Sequence, residues 1–349
     1  MMFRKWQILI MVLSILLGLN FWCPKSGRAD ALQPLAINQI KQTLKLHHAN
    51  ALVLVNGKQA DSPEIIQNRL VPGNSALAIH ANRFFPIASL QKPLTGLLMI
   101  QAINNHQVKE NSKLDRFFPN ISKSRQITVS QLLTQTSGVV DLGDSSKVPL
   151  TNERAQLMYT LSHLKVTNYH QWHYANSNFT LLAAILMRLD HQSYNHLLQT
   201  KLIKPAQLSG QIESYQVVKR GQVVESMGLK NRSWPALTRS MSAGLGSCDF
   251  LATPNGYWKL LQNDLFGQPN ILKTILKHRL PGNQENYFAG FYLKPTIMHA
   301  DGAFDGYTAT FFINYNTHQT LLIFCNNLNF QNFRAMSFEL YRDYFGHEY

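Results

Sequence analysis

Three cysteines in 349 residues are too few for a disulfide scaffold. Acidic residues are scarce, 19 Asp and Glu against 33 Lys and Arg, and the formal net charge is +14. Charged residues make up only 15% of the chain and hydrophobic ones 45%, which excludes a disordered polypeptide. There is only one long apolar run, so the chain is no multi-span membrane protein. No glycine-rich loop of the nucleotide-binding kind is present. The thirteen histidines include His47-His48, His170 and His173, none followed by a carboxylate or thiol pair at zinc-ligand spacing. What remains is a basic chain long enough to bury a full core without staples.

The one apolar run lies at the start. Arg4 and Lys5 precede residues Trp6 to Trp22, and Ala29-Asp30-Ala31 follows with the small residues a signal peptidase requires. This pattern predicts export, with residues 1–31 as a signal peptide or an N-terminal membrane anchor and 32–349 as one domain. Cys23 follows the bulky Asn20-Phe21-Trp22 and is expected to have no role. Arg4, Lys5, Lys25 and Arg28 against Asp30 give the leader +3, so 14 less 3 leaves +11 on the body. An exported basic body suits anionic envelope polymer or lipid headgroups rather than nucleic acid. The membrane is touched only through the N-terminal segment. The expected location is extracellular, secreted or anchored at the outer face of the cytoplasmic membrane.

Hydrophobic periodicity predicts a helix over 32–48 and a strand over 51–55, closed by a hairpin turn at Asn56-Gly57. Residues 84–87 read as a short extended piece, and a helical run begins at Ser89 and breaks at Asn104-Asn105. The middle is helical in pattern over 129–134, 155–164 and 179–189. Strands are predicted at 287–292, 308–315 and 320–325, then a helix over 330–344. Strands at both ends around a helical middle imply an α/β (α+β) fold. Its single sheet comes from both termini, with the helical part as an insertion.

The chemistry centres on Ser89-Leu90-Gln91-Lys92. A serine and a lysine three apart on a helix face the same way, so the amine is placed to take the hydroxyl proton. Pro93 is tolerated in a first helical turn. The same spacing recurs at Ser162-His163-Leu164-Lys165, which reads as an ordinary helix surface.

The segment Pro86 to Gly96 resembles the active-site entry of the serine β-lactamase and penicillin-binding-protein superfamily. The branch it looks most like contains class C β-lactamases, D-alanyl-D-alanine carboxypeptidases and related esterases. Asp115-Arg116-Phe117-Phe118-Pro119 and Ile127 to Val139 resemble later segments of that branch, with Gln135 where a histidine is usual. Tyr174-Ala175-Asn176 is similar to its tyrosine-x-asparagine motif, and Met241 to Ser247 to a glycine loop. The resemblance spans about residues 35–345 and implies a β-lactamase/transpeptidase-like fold without metal or other cofactor. It makes Ser89 the nucleophile. Lys92 and Tyr174 share the proton transfers, and Asn176 contacts the substrate amide or Lys92. A phenol beside Lys92 is expected to ionise more readily. On the residues alone, Tyr174 reads as a half-buried aromatic and Asn176 as a helix cap.

The third motif of the resemblance is a lysine or histidine, any residue, then glycine, on a strand. Here the stretch is Met298-His299-Ala300-Asp301-Gly302-Ala303-Phe304-Asp305-Gly306. The glycine register places Ala300 at the cationic position and the backbone N–H of Ala303 beside that of Ser89 as the oxyanion hole. His299 then reaches the site only through a local bulge, or stands as a neighbouring surface histidine. Loss of the cation would count against β-lactams and free-carboxylate peptides and favour esters. The expected function is an exported active-site-serine hydrolase acting on D-alanyl amides or esters. Its expected partners are peptidoglycan stem peptide or D-alanylated teichoic acid, with β-lactams as acylating ligands. A β-lactamase proper and a non-catalytic binding protein of the same fold are the alternatives.

Overall fold

The computed structural model describes residues 34–59, 62–143, 146–168, 170–227, 233–278, 286–304 and 306–349. The leader, Cys23 and Asp305 fall outside these residues. The main sheet is antiparallel and draws on both ends of the chain. Its strands are β1 (Ala51–Gln59), β2 (Ser62–Asn68), β3 (Tyr287–Phe288), β4 (Phe291–Leu293), β5 (Ile297–Phe304), β6 (Tyr307–Asn314) and β7 (Thr320–Cys325). Their order is β2-β1-β7-β6-β5-β4-β3. The N-terminal strand joins the C-terminal set through β1 and β7, with Ala51 opposite Cys325 and Val55 opposite Leu321.

Both faces of the central strands are buried, so they read as continuous apolar runs. Alternation still sorts the side chains. Leu52, Leu54, Leu322 and Phe324 enter the larger core with the helical middle. Ala51, Val53, Val55, Leu321, Ile323 and Cys325 enter a second core. That second core is closed by the terminal helices α1 (Pro34–Leu46) and α4 (Phe330–Phe345), which also pack on each other. The middle of the chain shares its apolar core with the sheet rather than keeping one of its own. Cys248 and Cys325 are both buried and unpaired.

Several sequence expectations need correction. The strand from Ala51 does not turn at Asn56-Gly57; β1 runs to Gln59 with a register shift between Asn56 and Gln59. Asn56 is kept in the strand by bonds from β7 and α4, accepting from Thr320 N at 2.6 Å and Tyr344 Oη at 2.8 Å. Residues 287–292 are two short strands, because Ala289 and Gly290 both take positive φ. The second Ser-x-x-Lys spacing is no helix face: the helix ends at Ser162, and Lys165 lies in the strand Leu164–Val166.

Two glycines set how closely the elements approach the helix α2 (Gln91–Asn104). A Cβ on Gly96 would lie 2.0 Å from the carbonyl oxygen of Ala289. One on Gly290 would lie 2.3 Å from the nitrogen of Pro93. The β3–β4 turn therefore rests directly on the first turns of α2, within reach of Lys92.

Candidate active site

Ser89 sits in a 3-10 turn, Ala88–Leu90, that leads straight into α2. Ala88 holds φ of 47°, a left-handed backbone that costs a non-glycine residue about 1 kcal/mol or more. The turn is held by Leu90 N donating to Ile87 O at 3.0 Å and by the Tyr257 hydroxyl donating to Leu90 O at 2.8 Å. Burial pushes the Tyr257 phenol well up, which keeps it a neutral donor. Ser89 is thus presented on a strained, braced turn at the floor of a cavity of about 490 Å³.

Lys92, one turn along, is 1% exposed. Its Nζ donates to Ser89 Oγ at 2.8 Å, to Asn176 Oδ1 at 2.8 Å and to the carbonyl of Ser247 at 3.4 Å. Burial lowers its pKa from 10.5 to about 8, against the opposing pull of Cys248 and Asp141. Two of the three partners fix the geometry of the neutral amine. The Asn176 oxygen, as oriented here, and the Ser247 carbonyl can only accept, and a neutral amine has two N–H bonds and one lone pair. The lone pair must therefore face Ser89 Oγ.

Asn176 opens the helix α3 (Asn176–Asp190), whose N-cap residue Ala175 has no capping side chain. Asp141 supplies the cap from the strand Val139–Asp141. Its carboxylate accepts from Asn176 N at 2.7 Å and Ser177 N at 3.1 Å. Gln135 holds the other side of the motif from a left-handed backbone, φ 60°. Its Oε1 accepts from Ala175 N at 3.1 Å and from Asn178 Nδ2, and its carbonyl accepts from His173 N at 2.8 Å. Asn176 is thus no cap. It orients Lys92, and Gln135 clamps the loop carrying Tyr174.

Tyr174 lines the cavity beside Ser89 and bonds its hydroxyl. Lys92 Nζ lies 4.8 Å from the centre of its ring. The expectation of a readily ionised phenol is corrected here. Burial outweighs the Ser89 bond and pushes the phenol up, and Lys92 faces the ring rather than the oxygen. Tyr174 is a proton donor at rest.

The glycine loop ends at Ser247, which carries the carbonyl bound to Lys92. Gly246, at φ 70°, donates its N–H to Asp249 Oδ1 at 3.1 Å. Gln91 locks this loop to α2, donating to Asp249 Oδ1 at 2.6 Å and accepting from Phe250 N at 3.0 Å. Burial raises the Asp249 carboxyl to about 7.

The glycine register of the third motif agrees with the packing. A Cβ on Gly302 would lie 2.2 Å from the Ile87 carbonyl and 3.2 Å from Leu90 N, so only glycine lets β5 reach the Ser89 turn. Ala303 lines the cavity with Ser89, while Ala300 faces the core. His299 is corrected on two counts. It is buried rather than on the surface, and it needs no bulge, since β5 and β6 pair without a break from Ile297 to Phe304. His299, Asp301 and Ala303 simply share the cavity face of the strand. The His299 ring stacks on Tyr292 with centroids 4.7 Å apart, and burial lowers its pKa to about 4. It is neutral at pH 7, so it is no carboxylate-binding cation.

The family model for Beta-lactamase matches residues 71–343. The chain belongs to the Beta-lactamase family. Among curated relatives it is 27% identical over 244 residues to a teichoic acid D-alanine hydrolase of Staphylococcus aureus. That match covers 67% of this chain and 60% of the relative, so the chain spans about 60% of the length of the curated relatives it matches. The crystal structure of FmtA from Staphylococcus aureus superposes with a TM-score of 0.71 at 20% identity, covering 94% of this chain and 93% of that one. The D-amino acid amidase of Ochrobactrum anthropi SV3, complexed with L-phenylalanine amide, gives 0.72 at 16% identity over 88% and 98%. Both likenesses establish the β-lactamase fold.

Of the residues named from the sequence, Ser89, Tyr174, His299 and Ala303 line one cavity; Lys92 and Asn176 are bonded behind Ser89, and Gly302 packs on the turn that carries it. Sequence reading missed Asp141 and the Ser247 carbonyl as partners of the core. It also missed the walls formed by Tyr287, Tyr292 and Tyr349, which come from segments far along the chain from Tyr174, and the part Trp172, two residues before Tyr174, takes beside them.

Proposed function

We propose that this chain is a serine hydrolase that releases D-alanine from an ester on an anionic envelope polymer, of the D-alanylated teichoic acid type. The observation that carries the reading is Lys92, buried and bound to Ser89, Asn176 and Ser247 so that its lone pair addresses the serine. Ser89 Oγ attacks the ester carbonyl while its proton passes to Lys92. The carbonyl oxygen is held by the backbone N–H groups of Ser89 and Ala303. Tyr174 donates its proton to the leaving alkoxide and recovers one from the water that attacks the acyl-enzyme, while Lys92 returns its proton to Ser89 Oγ as the acyl bond breaks. Water then attacks the acyl-enzyme by the reverse route, and D-alanine leaves as the free acid.

Three observations support the substrate class. His299 is neutral and Ala300 faces the core, so the position that would read a substrate carboxylate carries no cation. Lys294 and Arg334 are exposed at the cavity mouth, over the rings of Tyr349 and Phe338, where a phosphodiester chain would pass. A curated relative is named a teichoic acid D-alanine hydrolase. The site of action would be the outer face of the cytoplasmic membrane, reached through the N-terminal leader.

Intact-protein mass after incubation with a fluorophosphonate, and separately with a labelled penicillin, tests the reaction. A single fluorophosphonate adduct lost in Ser89→Ala is expected, with D-alanine released faster from an ester than from an amide. Absence of any adduct would refute the hydrolase reading. Penicillin turnover without a lasting adduct would favour a β-lactamase instead.

A further inference from the structure

Asp301 projects into the cavity from the same strand face as Ala303, two residues away and so about 6.6 Å along the strand. Its Oδ1 accepts from Thr310 Oγ1 at 2.7 Å, which ties one carboxylate oxygen to the neighbouring strand β6. Its Oδ2 is 3.8 Å from His299 Nε2, too far for a hydrogen bond to a ring that is neutral in any case. Lys294 and Arg334 stand at the mouth with their charges over aromatic rings. Among the described residues, Asp301 therefore meets no cationic side chain within 4 Å except that uncharged imidazole. A carboxylate aimed into an acyl-binding cavity needs a cation from the ligand.

We propose that Asp301 determines specificity by binding the α-ammonium of an aminoacyl ester whose carbonyl is seated between Ser89 and Ala303. The proposal rests on the hydrolase reading above and deepens it. The α-nitrogen of an aminoacyl group is two bonds from its carbonyl carbon, which lies within the span from Ala303 to the Asp301 carboxylate. The same carboxylate gains no charge pairing from an acylated, uncharged α-nitrogen, as in a penicillin or an N-acylated D-alanyl-D-alanine peptide. The acyl class accepted is therefore a free amino acid ester, its amine protonated and its carboxyl engaged in the ester.

The test compares three esters of one alcohol, D-alanyl, N-acetyl-D-alanyl and propionyl, each rate divided by that ester's own hydroxide-catalysed rate. In the wild-type chain the D-alanyl ester should exceed both others in kcat/KM by about tenfold to a hundredfold, the size of one charge-assisted hydrogen bond. The ratio should collapse toward one in Asp301→Asn, mostly through KM. It should also fall in the wild-type chain as pH rises through the pKa of the substrate amine, a readout that needs no variant. A wild-type ratio near one, a ratio that survives in Asp301→Asn, or a ratio flat across the amine titration overturns the proposal and leaves the hydrolase reading standing. Failure to cleave any of the three esters, without fluorophosphonate labelling, overturns both.

Discussion

Replacing Asp141 by Asn should make Ser89 reactive at lower pH. Burial holds the Lys92 ammonium down to about 8, and Asp141 pulls the other way. At pH 7 a pKa of 8 leaves about one lysine in ten neutral, against about one in 3,000 at 10.5. Burial is thus worth roughly 300-fold in available base, or about 3 kcal/mol. Asp141 lies just beyond Asn176, bonded to its backbone N–H at 2.7 Å. A unit charge about 10 Å from an ammonium, in an effective dielectric of roughly 20, moves it by about one pH unit. The assay is the second-order rate of fluorophosphonate labelling of Ser89 from pH 5.5 to 10. The wild-type rate should rise about tenfold per pH unit and level off above about 8. In Asp141→Asn the inflection should move down by about one unit, whatever happens to the plateau. The amide still offers one acceptor to α3, so the helix start is retained at a cost of about 1 kcal/mol. An inflection that moves upward, or a wild-type profile flat between pH 6 and 9, would refute Lys92 as the base.

Asn176→Ala removes an acceptor from Lys92 and frees the amine to rotate; labelling of Ser89 should slow by about a hundredfold, with the fold retained by circular dichroism. Gly290→Ala combines φ of 96° with a Cβ 2.3 Å from the Pro93 nitrogen. Its denaturant midpoint should fall by an amount equal to about 3 kcal/mol or more, and an unchanged midpoint would contradict the packing of the β3–β4 turn on α2. Gln135→Ala leaves Ala175 N and the Asn178 amide without their acceptor in a buried site. It should cost about 1–3 kcal/mol by chemical denaturation and lower kcat more than it raises KM.

The strands of the sheet and its closure from both chain ends were legible in the sequence, because hydrophobic runs with abrupt polar ends survive translation into burial. Thr320–Cys325 is an example, predicted and found at the same limits. The turn at Asn56-Gly57 was misread because its residues fit a hairpin equally well. What keeps Asn56 in the strand is Thr320 and Tyr344, more than 260 residues away. Strand β2 was missed, since its apolar content is little more than Ile65 and Ile66, and β5 was placed on a strand only through the resemblance.

The active-site trio divides in the same manner. Ser89 and Lys92 are three residues apart in one turn, so helix geometry alone joins them, and Tyr174 and Asn176 are set by one motif three residues long. The sequence by itself determined which groups could react and that one sheet would be built from both ends. Only the tertiary structure decided the direction of proton flow. It buries Lys92 enough to lower its pKa to about 8, and buries Tyr174 so that its phenol stays protonated. It also decided that β5 turns His299, Asp301 and Ala303, and not Ala300, to the cavity. Desolvation and strand facing depend on what packs against a residue from elsewhere in the chain, and neither is written in its neighbours.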